Sequence, residues 1–199
     1  MSRSSWPPHT LVSLERQLLM LSDSVANPPM ARSDDEEVWL TRFLLLRAVG
    51  YLEQVVHDCV RGHIQESSYG TVRNFSISWM DRSRNPSVEN LLTLLGRLDL
   101  RLRDDFERWI DEDDQSLRRD LSAAVARRHQ IAHGLNEGIG RSRALEHVER
   151  LREIADWFIR NLNPNADGRL SRQLPESFVN SNWFSWPSEL SRTVLRLCP

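Results

Sequence analysis

VWLTRFLLLRAVGYLEQVVHDCV, residues 38–60, is the stretch that decides the fold. Apolar residues fall at Val38, Leu45, Ala48, Leu52, Val55, Val56 and Cys59, at the intervals of a helical face. A second set, Trp39, Phe43, Leu44, Leu46 and Tyr51, widens the stripe over most of the circumference. A helix so broadly apolar is buried on more than one side, either in a bundle core or against another subunit. Asp34 or Asp35 is placed to cap it, and Glu36 and Glu37 suit the positive end of the helix dipole. The pattern predicts a helix reaching residue 64.

The same periodicity works outward in both directions. Leu11, Leu14, Leu18, Leu21 and Val25 predict a short helix between Pro7-Pro8 and Pro28-Pro29, within an N-terminal extension over residues 1–33. Residues 65–84 are polar, hold Gly70 among Tyr69, Phe75 and Trp79, and predict a loop or broken helix. Asn85-Pro86 reads as a cap with proline in the first turn of a helix whose face is Val88, Leu91, Leu92, Leu95 and Leu98, with Gly96 allowing close packing or bending. A short helix follows over 100–110. An acidic break over 111–114 starts a further helix running to about residue 132. Gly134, Gly138 and Gly140 interrupt the pattern, and Ser142 is placed to cap a last long helix that Asn163-Pro164 stops. No stretch reads as a strand hairpin. The expectation is an all-α protein. A bundle of four to five main helices occupies residues 34–164, and a C-terminal tail, 165–199, packs on it.

Composition narrows the chemistry. At 199 residues the chain is long enough for one domain with a real core, and 40% hydrophobic with 27% charged residues is ordinary for a globular fold. The formal charge of −2 gives no global basic field, so any nucleic-acid site must be local. All 26 basic residues are arginine. Schiff-base chemistry, a phosphate-loop lysine and a lysine general base are therefore excluded, and phosphate must be held by arginine, histidine or backbone N–H. Cys59 and Cys198 form neither a metal-ligand spacing nor a disulfide framework, and Cys59 is expected to be a buried thiol. No long apolar run follows the N-terminal residues as in a signal peptide. The longest, Phe43 to Leu46, is too short to span a membrane, so a cytoplasmic location is expected.

The segment that can carry chemistry is Arg127-Arg128-His129-Gln130-Ile131-Ala132-His133-Gly134. From Arg128 to His133 an ideal helix advances about 7.5 Å and turns about 140°, so the two side chains do not touch directly. They converge on one substrate if the helix ends near Ala132, which Gly134 permits by taking the left-handed position after a helix. RNA cleavage by internal transesterification needs these residue types. The 2′-hydroxyl loses a proton, the 5′-oxygen gains one, and imidazole does either near neutral pH. A guanidinium fork holds the charged non-bridging oxygens. Neither a metal nor a cofactor is expected. The plain structural alternative is that such an Arg…His spacing arises by chance, with Arg127 and His129 merely solvated.

The segment resembles the signature of the HEPN superfamily (higher eukaryotes and prokaryotes nucleotide-binding domains): arginine, a polar residue, a few residues, then histidine. Arg128 matches the arginine, His129 the polar residue and His133 the histidine. The fuller string is similar to the branch labelled RiboL-PSP-HEPN or MAE-like. The stretches around Arg47 to Gln54 and from Asn85-Pro86 to Asp99 also resemble that branch, so the likeness covers about residues 38–162. It implies an all-α up-and-down bundle, a homodimer whose two motifs form one composite ribonuclease site, and a toxin, phage-defence or RNA-processing setting. RNA is the implied substrate, and an antitoxin or defence-system protein an implied partner. A nucleotide- or partner-binding module without catalysis is the alternative within the same superfamily. Some members carry a tyrosine two residues after the histidine that a partner enzyme modifies; here it is Leu135, which closes that route. In supporting roles, Glu53 either orients Arg128 or His133, or is exposed or paired with Arg47. Asn136 and Glu137 are placed to line the site. Trp183, Phe184 and Trp186 either stack on RNA bases or pack the tail onto the bundle.

Overall fold

A computed structural model describes residues 6–80, 85–135 and 138–164, and every regular element within them is a helix. In chain order these are α1 (His9–Ala26), α2 (Asp34–Ser67), α3 (Gly70–Met80), α4 (Val88–Leu98), α5 (Leu100–Ile110), α6 (Glu112–Ala132) and α7 (Arg141–Asn161). The tail over 165–199, with its tryptophans and Cys198, lies outside the described residues, as do Asn136 and Glu137.

The 34-residue α2 is the central element and packs against α1, α3, α6 and α7. Its cap is Ser33 rather than Asp34 or Asp35. The Ser33 hydroxyl accepts from the Glu36 N–H (3.3 Å), and the Ser33 N–H donates to Glu36 Oε2 (3.1 Å). This reciprocal pair satisfies two otherwise orphan donors. It places both aspartates in the first turn, where their charge meets the helix dipole. Leu44, Leu45, Ala48, Leu52, Val55 and Cys59 are fully buried, whereas Trp39 and Phe43 remain 66% and 49% exposed. The broad apolar stripe thus splits: most of it makes the core, and its N-terminal part makes a surface. Burial pushes the Cys59 thiol up to about 12.

The helix α1 is tied into the bundle. Arg152 of α7 donates through Nε (3.1 Å) and Nη2 (2.6 Å) to Glu15 Oε1, and Trp6 Nε1 donates to the Ile159 carbonyl (2.9 Å). On the other side, Phe106 of α5 packs edge-on against Trp157 (4.8 Å between centroids) and against Phe158 (5.4 Å). Buried aromatic clusters of this kind hold helices beyond simple area burial.

Several local expectations are settled or corrected. The stretch 65–84, read as a loop or broken helix, is a broken helix where described: α2 ends at Ser67, Ser68 and Tyr69 interrupt it, and α3 follows. The helix α3 packs on α2, with Ile77 against the core, and leaves Val72 and Phe75 exposed. Ser87, not Asn85, caps α4, with its hydroxyl accepting from the Asn90 N–H (3.4 Å), so Pro86 precedes the cap. Gly140, not Ser142, caps α7, and its carbonyl accepts from the Ala144 N–H (3.0 Å). The acidic break is real. Asp113, Asp114 and Gln115 all take positive φ (50°, 54° and 61°), a left-handed kink inside the start of α6. Arg118 spans it by donating to both oxygens of Asp111 (2.5 and 3.1 Å). Asp99 ends α4 and starts α5, its carboxylate accepting from the Arg101 N–H (2.8 Å), and Gly96 lets Arg103 lie against the α4 backbone.

Candidate active site

The C-terminal end of α6 is closed by backbone hydrogen bonds alone. Gly134 takes φ +73° and donates to the Ile131 carbonyl (3.0 Å), while Leu135 donates to the Gln130 carbonyl (3.0 Å). These are the two bonds of a Schellman closure, which needs a residue free to adopt the left-handed region. Here the helix stops at Ala132 with His133 as its last, near-helical residue (φ −89°, ψ 8°). Gly134 therefore fixes where His133 sits.

Arg128 reaches across to the middle of α2. Its Nη2 lies 3.2 Å from Glu53 Oε1 and 3.5 Å from Oε2. The pair is neither dry nor fully solvated, at 36% and 20% side-chain exposure. Of the alternatives for Glu53, the pairing with Arg128 is the one formed; Arg47 instead donates to Gln17 (3.4 Å). Contact through Nη2 leaves the other donors of the guanidinium fork to face a second acceptor.

His129 and His133, one helical turn apart, share the neighbouring face. Their rings meet edge to face with centroids 4.3 Å apart and planes at 68°, and both residues are exposed. The site thus forms as two pairs, Arg128 with Glu53 and His129 with His133, and no hydrogen bond joins Arg128 to His133, as the helical angle requires. Arg127 is half-buried and makes no ion pair with a described residue. No group of three or more His, Cys, Asp or Glu among the described residues is arranged to hold a metal.

One neighbouring residue escaped the sequence pattern. His147 of α7 is fully buried, and neither ring nitrogen finds a hydrogen-bond partner among the described residues. Burial lowers its pKa, and the Arg143 and Arg127 guanidiniums lower it further, against Asp120 and Glu146, which raise it. Asp120 on α6, itself buried, receives Arg143 Nη2 (2.8 Å) and lies 3.6 Å from Arg150 Nε, which locks α6 to α7 beside the motif. In sequence, His147 sits among charged residues of an amphipathic helix and looks solvated. Only its inward position within the Leu145, Val148 and Leu151 face could have marked it.

A model of the family described as RiboL-PSP-HEPN matches residues 9–163, from the first residue of α1 to just past α7. The match begins well before the residue-38 boundary read from the motifs and takes in α1. None of the curated proteins and none of the solved structures compared with the chain matches it.

Proposed function

Because the chain belongs to the RiboL-PSP-HEPN family, we propose that it is a metal-independent endoribonuclease working at the end of α6. The observation that carries this reading is the pairing of two exposed imidazoles with a guanidinium aimed from the same helix end. His133 is the general acid or base, and Arg128 clamps the non-bridging phosphate oxygens. His129 and Arg127 position the RNA, and Glu53 aims Arg128. In the reaction the 2′-oxygen loses its proton and attacks phosphorus. The P–O5′ bond breaks, and the 5′-oxygen takes up a proton, leaving a 2′,3′-cyclic phosphate.

An in-line displacement needs proton transfer on both sides of phosphorus, and the two imidazoles of one chain sit on one side. A second copy supplying its own α6 end completes the pair. The surface of α2 supports such a copy. With about 100° of rotation per residue, Trp39, Leu46 and Gly50 fall within about 60° of the Glu53 meridian, and Phe43 within about 80°. Trp39 and Phe43 are exposed, and a Cβ at Gly50 would meet nothing within 4 Å, so another backbone can approach closely. An apolar strip therefore leads along α2 to the carboxylate that holds Arg128, which suits a subunit contact running up to the catalytic groups.

The direct test is expression of the wild-type chain beside His133→Ala and Arg128→Ala, scored for growth arrest and RNA integrity. RNA degraded by the wild type and intact with both variants is expected, as for a toxin or phage-defence effector. Equal degradation by all three removes the mechanism. The second reading, a nucleotide- or partner-binding module, is favoured by one observation: the Arg128 charge is already compensated by Glu53. Nucleotide binding by calorimetry with no cleavage at high enzyme concentration would select it.

A further inference from the structure

We propose that His129 and His133 form a two-imidazole chelate for a late first-row transition ion, zinc foremost, and that filling it shuts the catalytic site. The rings are already within 4.3 Å at one helical turn, and both are exposed. Neither takes part in a hydrogen bond or ion pair with any described residue, so all four ring nitrogens are open. Tetrahedral coordination with Zn–N bonds of about 2.0–2.1 Å sets the two bound nitrogens about 3.3 Å apart. Side-chain rotation alone brings these rings to that separation. The Schellman closure after Ala132 holds the two Cα positions, so the chelate needs no backbone rearrangement.

No other histidine offers this. The chain has six, at positions 9, 57, 63, 129, 133 and 147. His57 Nδ1 is held by Asp58 (3.0 Å), His147 is fully buried, His63 is half-buried, and His9 stands alone at the start of α1. The surroundings also select the ion. The Glu53 carboxylate is engaged by Arg128 and so supplies no oxygen donor to the pair. What remains is nitrogen donors alone, which suit zinc, nickel and copper and not magnesium or calcium. Water completes the coordination of one pair, or the equivalent pair of a second copy makes a four-imidazole site.

Binding itself requires only this pair. The inhibition rests on the ribonuclease reading, because a metal-bound His133 cannot exchange a proton.

The test is calorimetric titration of the full chain with zinc chloride, and separately with magnesium chloride, in a chelator-free buffer. His129→Gln, His133→Gln and His9→Gln are run beside the wild type. Expected is saturable zinc uptake at one ion per chain or one per two chains, with none for magnesium. Each of His129→Gln and His133→Gln weakens it by about tenfold or more, since the second ligand is held at high effective concentration. His9→Gln binds as the wild type, and uptake falls as the pH is lowered, because protonated imidazole cannot ligate. RNA cleavage falls in step with zinc occupancy and returns with EDTA. Zinc affinity unchanged in both motif variants, or no saturable uptake, overturns the chelate; uptake without loss of cleavage overturns the inhibition. A zinc-free chain that cleaves no RNA counts against the ribonuclease reading, and the titration still decides the chelate.

Discussion

Replacing Glu53 with glutamine preserves the side chain's shape and removes the charge that faces Arg128. At 3.2 Å, Coulomb attraction at an effective dielectric of 20 comes to about 5 kcal/mol before desolvation. Partial exposure of both side chains screens this, and the net contribution to stability is about 1 kcal/mol. The expected fall in Tm is about 2–4 °C for a chain of this length. The catalytic effect is expected to be larger. Without its carboxylate the guanidinium keeps its charge and loses its aim, so transition-state stabilisation drops by about 1.4–2.7 kcal/mol, a tenfold to hundredfold loss in kcat. KM stays level or falls, because Arg128 no longer divides its donors between Glu53 and the phosphate. Steady-state cleavage of a short fluorogenic RNA in EDTA, with Tm measured on the same preparation, separates the two effects. A kcat within twofold of the wild type, alongside the expected Tm shift, would show that Glu53 only supports the fold.

Three further outcomes follow from the packing. His147 titrates below its ordinary value because it is buried, so the unfolded chain binds the proton first as the pH falls below about 6.5. Stability therefore drains below that pH until the folded-state pKa is passed. His147→Leu should flatten the fall in Tm between about pH 7.5 and pH 5, leaving the slope contributed by His63, whose pKa burial also lowers. Gly134→Ala forces a Cβ into φ +73° and should cost about 1 kcal/mol in denaturant unfolding while lowering activity through His133. The double change Trp39→Arg and Phe43→Arg should convert a dimer to a monomer in light scattering and abolish cleavage with the helical circular dichroism intact. A dimer that survives it would move the subunit contact elsewhere.

Helix positions were legible because burial repeats with the helical period, and the helix spanning residues 38–64 was plain from its apolar width. The ends were less so. Ser33 and Asp34 are both good capping residues, and the choice rests on the reciprocal bond with Glu36, which only the backbone geometry reveals. The extent of α3 was hidden because Val72 and Phe75 stay exposed while Ile77 packs against the core, which leaves too little inward periodicity to read. At the site, Gly134 marked the helix end, and the Arg128 to His133 spacing showed that the two side chains do not touch. The partner of Glu53, 75 positions from Arg128 in sequence, was one alternative among several until α2 and α6 packed together. His147 was invisible for the converse reason: it is buried although its sequence neighbours are charged.

The most direct measurement is the chemistry of the cut ends. Purified chain is incubated with a defined RNA in excess EDTA, and the products are resolved by mass spectrometry beside those from His133→Ala. Fragments ending in 2′,3′-cyclic phosphate from the wild type, and intact RNA from the variant, are expected. Cleavage that vanishes with the chelator, 3′-hydroxyl ends, or equal cutting by His133→Ala would contradict proton transfer at the end of α6.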